Sequence, residues 1–293
     1  MRVFDAHCDT LSEMYDKKQG FAKNNLHIDL YRMSKYDRYT QVFAIFTPPE
    51  RKDNAKEYVK EITALFYDEM AKNGVTVCKN YADLAKSKTK QNAFLSIEGA
   101  ECVEKILDIW ELKENGVFMI APTWNFKNKI ACGVMENEDT GLTEFGREVI
   151  CEMDRLGMIL DVSHLSEKSF FDAVKIFKKP IVASHSNSKA IVNHKRNLTD
   201  EQFLIIKRSG GVVGINLYPD FFGESVKAHI DHFLSLGGED NIGLGCDFDG
   251  VDRLPVGVKG IEDIEKLEMP CSKEICQKIT ESNFLRVLKA YNC

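Results

Sequence analysis

Short runs of β-branched and apolar residues alternate along this chain with longer amphipathic stretches. Short apolar runs bounded by turn residues predict buried strands, and apolar positions that recur every three to four residues predict helices, as at 55–73 and 143–156. Eight strands are predicted, at 3–7, 41–46, 93–97, 117–122, 158–162, 181–184, 212–216 and 242–245.

Two helix starts carry a capping signal. Thr143 and Thr199 each precede acidic residues and an amphipathic stretch, so both threonines are predicted N-caps. Gly210 and Gly211 follow the second of these helices and are expected to end it, because glycine readily adopts the backbone conformation that terminates a helix.

The alternation of strands with helices predicts a parallel sheet. Eight such units in 293 residues favour a closed (β/α)8 barrel, the TIM-barrel fold, and we expect a single domain over residues 1–293. The alternative is an open doubly wound sheet, which fits the same pattern if one or two strands have been miscounted.

Composition narrows the class of protein. The chain is 44% hydrophobic and 29% charged, with a net charge of −6, which argues against a nucleic-acid partner. No apolar stretch approaches the ~18 residues that a membrane span needs, and the first residues lack a secretion-signal pattern. Nine cysteines without a C-x-x-C pair indicate reduced thiols, so we expect a cytoplasmic protein that binds neither membranes nor nucleic acid.

Side chains able to bind metals follow five of the predicted strands. Barrel enzymes place their chemistry at the carboxyl ends of the strands, so these side chains are expected to meet at one rim. They are His7 and Asp9 after the first strand, Glu98 after the third, His164 after the fifth, His185 after the sixth, and Asp247 and Asp249 after the eighth.

The spacing of these residues suggests two metal ions. His7 and Asp9 are two residues apart in an extended segment, so their side chains point to the same face. His164 and His185 end consecutive strands, which lie about 4.8 Å apart in a sheet. Glu98 lies between the two pairs, and its carboxylate could bridge two cations ~3.5–4 Å apart.

Two further residues at this rim suggest roles in substrate chemistry. Asp247 follows the last strand directly and is positioned to accept a proton from an activated water, whereas Asp249 belongs to a predicted turn with Gly250. Arg196 lies on the loop after the sixth strand, where a guanidinium suits a substrate carboxylate. For Arg196 alone, a solvated loop arginine is the alternative.

Specific motifs lie along nearly the whole chain. They are DAHCDT at 5–10, HIDLYRM at 27–33, SIEGAE at 96–101, TWNFKNKIACG at 123–133, GLTEFGREVICEMDRLGMILDVSHLS at 141–166, PIVASHSNSKAI at 180–191, RNLTDEQ at 196–202, GGVVGINLYP at 210–219, GLGCDFDGV at 243–251 and NFLRVL at 283–288. Together they resemble the membrane (renal) dipeptidase family of zinc metallopeptidases, in its bacterial soluble form.

The resemblance implies a metal-dependent hydrolase barrel with two Zn²⁺ ions, which Mn²⁺ or Co²⁺ could replace. It implies hydrolysis of the peptide bond of dipeptides by a hydroxide that bridges the two ions. The implied ligands are His7 and Asp9 for one ion, His164 and His185 for the other, and Glu98 for both.

The same resemblance assigns the substrate contacts. It implies that Arg196 binds the carboxylate of the dipeptide and that Asp247 carries a proton to the leaving amine. Many animal members have a histidine that contacts substrate where this chain has Trp124, so Trp124 and Asn125 are expected to line the substrate site. Family members commonly form homodimers, and we expect one here.

Two other functions remain open on the sequence. One is another amide or lactone hydrolase of the metal-dependent barrel class, although such enzymes usually begin with His-x-His and often carry a modified bridging lysine. The other is a metal-binding barrel that has lost catalysis and acts as a scaffold.

Overall fold

Parallel strands form a barrel in the computed structural model, which describes residues 1–269 and 272–291. Each of the eight predicted strands is present, and one further short strand is added. The strands are β1 Arg2–Asp5, β2 Arg38–Phe46, β3 Thr76–Val77, β4 Gln91–Glu98, β5 Val117–Ala121, β6 Ile159–Leu160, β7 Val182–Ala183, β8 Val212–Ile215 and β9 Ile242–Leu244.

The order of the strands is β6-β5-β4-β2-β1-β9-β8-β7, and its two ends, β6 and β7, meet. At this junction, which we call the seam, Asp161 and Val182 form a parallel bridge, and the amide of Val162 donates to the carbonyl of Val182 over 2.8 Å. The predicted (β/α)8 barrel is therefore confirmed, and the open sheet is excluded. Both strands at the seam are shorter than predicted, at two residues each.

The added strand β3 pairs with Asn92 and Ala93, near the start of β4. Strand β5 pairs with β4 only from Leu95 onward, so the earlier part of that edge is open to β3. A two-residue strand carries no readable alternation, which is why the sequence pattern did not predict it.

Helices connect and surround the strands. Within the described ranges, no helix has both the length and the apolar character that a membrane span needs. Short 3₁₀ segments occupy Pro49–Asn54 and Ile261–Lys266, and a π-helical turn occupies Lys278–Ser282. The α-helices are α1 Thr10–Lys17, α2 Leu30–Met33, α3 Ala55–Lys72, α4 Tyr81–Lys86, α5 Ile106–Glu114, α6 Glu144–Leu156, α7 Glu167–Ile176, α8 Asp200–Arg208, α9 Pro219–Phe222, α10 Val226–Ser235, α11 Lys273–Gln277 and α12 Asn283–Ala290.

Both predicted N-caps are present. The hydroxyl of Thr143 accepts a hydrogen bond from the amide of Gly146 at the start of α6, over 2.9 Å. Thr199 forms a capping box with Gln202, in which each side chain accepts from the backbone amide of the other residue. The predicted helix end is also present, since α8 stops before Gly210, which has a φ of 80°.

Apolar side chains fill the barrel below the carboxyl ends of its strands. One buried cluster takes side chains from seven strands around the barrel and from α12, so it must lie in the interior. Phe4 stacks on Phe284 of α12 with ring centroids 5.2 Å apart, and Phe94 and Phe118 pack at 4.8 Å. This packing fixes the strands and thereby the side chains at their ends.

We expect Thr143→Ala to lower the free energy of unfolding by about 1–2 kcal/mol, because it removes the N-cap of α6. Thr143→Ser retains the hydroxyl and should lose much less. Urea denaturation monitored by circular dichroism measures both variants. Equal stability of Thr143→Ala and the wild type would contradict the capping role.

Candidate metal centre

Six of the seven chemistry-bearing residues predicted at the strand ends lie together at one end of the barrel. Each is more than nine-tenths buried, and their ligand atoms form three overlapping groups in which all atoms lie within 4.8 Å of one another. The groups are His7, Asp9 and Glu98; Glu98, His164 and His185; and His7, His185 and Asp247.

His7 lies among three carboxylates. Its Nε2 is 2.9 Å from Oε2 of Glu98, 3.2 Å from Oδ2 of Asp9 and 3.6 Å from Oδ1 of Asp247. Asp9 has its other oxygen, Oδ1, buried without a hydrogen-bond partner among residues 1–269 and 272–291. A buried carboxylate oxygen without a partner is costly, and a bound cation would satisfy it.

Glu98 joins the two histidine groups through its two oxygens. Oε2 faces His7, and Oε1 lies 2.9 Å from Nε2 of His164. This is the arrangement expected of a carboxylate that places one oxygen on each of two cations. Strand β4 positions it, since Glu98 is the last residue of that strand and pairs with Phe46 and Ala121 of the neighbouring strands.

His164 and His185 face each other through Nε2, with the two nitrogens 2.8 Å apart. Nδ1 of His164 lies 3.0 Å from Oδ1 of Asn125, which can only accept, so this imidazole carries its proton on Nδ1. Nδ1 of His185 lies 2.7 Å from the hydroxyl of Ser184. Two neutral imidazoles with lone pairs at this separation repel each other unless a cation lies beside them, so this pair fits a metal.

The electrostatics of the two histidines also suit metal binding. Burial lowers the pKa of His164 below its ordinary value, and the charge of Arg196 lowers it further. Burial lowers the pKa of His185 well below its ordinary value, with the positive charges of His7 and Arg196 as further causes. Both side chains are therefore neutral imidazoles, the form that binds a metal.

The carboxylates, by contrast, bring excess negative charge into the same buried site. Burial and the charge of Glu98 raise the pKa of Asp9 to about 7. Burial alone would raise the pKa of Glu98, but the charge of His7 holds it well below its usual range. Burial alone would lower the pKa of His7, but Glu98 and Asp9 raise it well above its ordinary value. A divalent cation would supply the positive charge that this group of residues lacks.

Asp247 is held in place by its backbone and by a neighbouring amide. It has a left-handed backbone with a φ of 61°, and its Oδ2 accepts from Nδ2 of Asn216 over 2.8 Å. Asp249 is engaged elsewhere, because its two oxygens accept from the hydroxyl of Thr10 and the amide of His27. Of the two aspartates, Asp247 belongs to the groups of candidate ligands. The predicted turn is present, since the amide of Gly250 donates to the carbonyl of Asp247.

Arg196 is buried, with 4% of its surface exposed. Nη1 donates to the carbonyl of Ser163, and Nη2 lies 3.3 Å from the carbonyl of His185 and 3.1 Å from Nε2 of His164. The alternative of a solvated loop arginine is therefore wrong, because the loop 194–198 folds the side chain inward over the two histidines.

A cavity of about 400 Å³ opens onto these residues. Trp124 forms part of its wall and packs against Phe46 with ring centroids 5.1 Å apart. Asn125 also lines the cavity, but its amide oxygen is engaged with His164. The cavity is lined by Asp9, Ser12, Glu13, Phe46, Glu98, Trp124, Asn125, His164, Arg196, Tyr218, Phe221, Asp247, Asp249, Gly250, Val251 and Asp252.

Sequence reasoning missed the polar residues that hold the candidate ligands. Asn216 contacts Asp247, and the hydroxyl of Ser184 contacts both His185 and Asp161. The available signal was a polar side chain inside an otherwise apolar strand run, as at Asp161 in 158–162 and Ser184 in 181–184. Such residues in buried strands need hydrogen-bond partners.

The structure is a (β/α)8 barrel with a cluster of candidate metal ligands at the carboxyl ends of its strands. Residues 1–292 match the family model described as membrane dipeptidase, peptidase family M19, and the chain belongs to that family.

Relatives and solved structures agree with this membership. An uncharacterised dipeptidase of Schizosaccharomyces pombe is 31% identical over 82% of this chain and 64% of its own length, so the match spans less than two thirds of that relative. An uncharacterised protein of Acinetobacter calcoaceticus is 31% identical over 80% of this chain and 86% of its own.

Two crystal structures superpose on nearly the whole chain. The dipeptidase AC, a metallopeptidase of family M19, has a TM-score of 0.90 at 26% identity and covers 99% of this chain and 98% of its own. A metallopeptidase from Rhodobacter sphaeroides, bound to a phosphinate mimic of the dipeptide L-Ala-D-Ala, has a TM-score of 0.89 at 25% identity and covers 99% of both chains.

The crowding of carboxylates predicts opposite effects of Asp9→Asn on stability and on metal binding. In the metal-free protein at pH 8, removal of a buried charge beside Glu98 should raise the melting temperature by about 2–6 °C. Zinc affinity, measured by competition with a chelator, should fall. Asp16→Asn, an exposed change on α1, the helix that Asp9 directly precedes, should alter neither. A lower melting temperature for metal-free Asp9→Asn would contradict this view of the site.

Proposed function

We propose that this chain is a zinc-dependent dipeptidase that uses two metal ions. The observation that carries the proposal is the position of Glu98, whose two oxygens face two separate histidine groups. Membership of the membrane dipeptidase family supports the reaction class. The dipeptide mimic bound to the Rhodobacter sphaeroides neighbour supports the substrate class.

The donor set fits zinc, which prefers imidazole nitrogens and carboxylate oxygens. When bound, two zinc ions would lower the pKa of water to generate a hydroxide near neutral pH and would polarise the scissile carbonyl. We assign His7 and Asp9 to one ion, His164 and His185 to the other, and Glu98 to both.

Asp247 acts as the proton carrier in this proposal. It lies beside His7 at the cavity wall, and its contact with Asn216 leaves Oδ1 directed toward the candidate ligands. A carboxylate placed there can accept the proton of the attacking water and deliver it to the leaving amine.

Arg196 binds the carboxylate end of the dipeptide. Its contacts with two backbone carbonyls fix the orientation of the guanidinium and leave other N–H groups for a ligand. The cavity of about 400 Å³ has a volume suited to a small substrate. Trp124 and Phe46 form an apolar wall against which a substrate side chain can pack.

The homodimer and the cytoplasmic location remain predictions from the sequence. The single domain over 1–293 likewise remains a prediction.

Removal of metal with a chelator should abolish hydrolysis of Ala- and Gly-containing dipeptides, including L-Ala-D-Ala, and zinc should restore it. Glu98→Gln should lower kcat/KM by more than about 100-fold and weaken zinc binding, because one carboxylate serves both ions. Glu101→Gln, three residues further along, is the matched control and should retain both properties.

Full dipeptidase activity in the metal-free enzyme would contradict the proposal. Zinc-dependent hydrolysis of a lactone or cyclic amide, with every dipeptide inert, would favour the other hydrolase class. Tight zinc binding without activity toward any of these substrates would favour a scaffold.

Arg196→Lys should raise KM for dipeptides by at least about tenfold, because an ammonium lacks the paired N–H geometry of a guanidinium. For a dipeptide amide, which lacks the carboxylate, the same change should leave KM within about threefold. Steady-state kinetics on both substrates measure the contrast. An equal rise in KM for both would contradict the assignment of Arg196.

A further inference from the structure

The carboxylate of Asp161 is buried at the seam, with 3% of its surface exposed, and it collects donors from both strands there. From the β6 side, the amide and the hydroxyl of Ser163 donate to Oδ1 over 3.0 and 2.7 Å. From the β7 side, the amide of Ser184 donates to Oδ1 over 2.9 Å, and its hydroxyl donates to Oδ2 over 2.5 Å. Four donors on one carboxylate offset the cost of its burial.

These contacts determine the direction of the hydrogen bond between the Ser184 hydroxyl and Nδ1 of His185. A carboxylate only accepts, so the single proton of the Ser184 hydroxyl is committed to Asp161. The hydroxyl oxygen can then only accept from Nδ1 of His185, which lies 2.7 Å away. His185 must therefore carry its proton on Nδ1, and Nε2 keeps its lone pair, which faces His164 and the rest of the cluster.

The carboxylate of Asp161 also helps to set the distance between the ends of β6 and β7. β6 and β7 are the ends of the sheet path and are joined by the bridge between Asp161 and Val182. Beyond that bridge, the amide of His185 donates to the hydroxyl of Ser163 over 3.1 Å, so the two segments remain linked up to the histidines. The separation of His164 from His185 thus depends on the residues around Asp161.

We propose that Asp161 and Ser184 are positioning residues that set the tautomer, the orientation and the basicity of His185 for zinc. The inference rests on the proposed function, in which His185 binds one of the two ions. A carboxylate joined to a ligand imidazole through hydrogen bonds makes the imidazole a stronger donor and fixes its ring. The serine hydroxyl transmits this effect, because Asp161 does not itself touch the ring.

Ser163 offers a matched control. Like Ser184, it donates both its amide and its hydroxyl to Asp161, and the two hydroxyl oxygens lie 3.2 Å apart. Toward His185, however, the Ser163 side chain contacts the backbone amide and not the imidazole. Loss of either hydroxyl removes one donor from the buried carboxylate. Only loss of the Ser184 hydroxyl leaves the imidazole without its acceptor.

The test compares zinc binding by Ser184→Ala and Ser163→Ala, measured by competition with a chromophoric chelator on the full chain. We expect Ser184→Ala to weaken one of the two zinc sites by about 10–100-fold. Ser163→Ala should change zinc affinity by less than about threefold. The metal-free forms of both variants should lose similar stability in urea denaturation. The absorption bands of the Co²⁺-substituted protein should shift for Ser184→Ala and not for Ser163→Ala.

Wild-type zinc affinity in Ser184→Ala would overturn the inference, and so would an equal loss of affinity in both variants. Should Ser184→Ala fail to fold, Asp161→Asn serves as the second variant, with at least about tenfold weaker zinc expected and unchanged affinity overturning the inference. His185→Ala separates this test from the proposed function. If His185→Ala binds zinc as the wild type does, the assignment of His185 as a ligand fails. If His185→Ala weakens zinc binding but the Ser184 and Asp161 variants do not, only the positioning role fails.

Discussion

The structure depends on the burial of three carboxylates and three imidazoles at one end of a closed barrel. Isolated charges in such a place would cost several kcal/mol each, so they must be paired with one another or with bound cations. Glu98 is central to that balance, since it contacts His7 with one oxygen and His164 with the other. The remaining partnerless oxygen of Asp9 and the facing nitrogens of His164 and His185 are unfavourable without a cation.

The barrel makes this arrangement possible because it brings residues that are far apart in sequence to one rim. The apolar cluster in the interior fixes the strands from below, with Phe4 stacked against Phe284 of the last helix. At the rim, polar contacts replace apolar packing. Asn125, Ser184 and Asn216 each hold one of the chemistry-bearing side chains by a single hydrogen bond. Rigid support below and directed hydrogen bonds above together limit how far the site can move.

The sequence predicted the barrel and the meeting of the candidate ligands for one physical reason. The carboxyl ends of parallel strands share an edge, so Glu98, His164 and His185 could be brought together from their positions in the pattern alone. The motifs that resemble membrane dipeptidases pointed to the same residues, and the family is now established.

What the sequence could not give was the set of contacts between neighbouring strand ends. The roles of Asp161 and Ser184 depend on how β6 meets β7, and two strands of two residues each leave that geometry undefined in the pattern. Arg196 was placed on the correct loop, but its inward orientation follows from carbonyl partners that belong to other segments. Strand β3, with two residues, was too short for the sequence pattern to predict.

Anomalous diffraction at the zinc absorption edge, on crystals of the zinc-loaded protein, would locate the metal ions themselves. Two zinc ions joined by Glu98 should give two peaks that share Glu98 as a ligand at about 2.0–2.2 Å, one beside His7 and Asp9 and the other beside His164 and His185. A single peak, or peaks that do not touch Glu98, would contradict this arrangement.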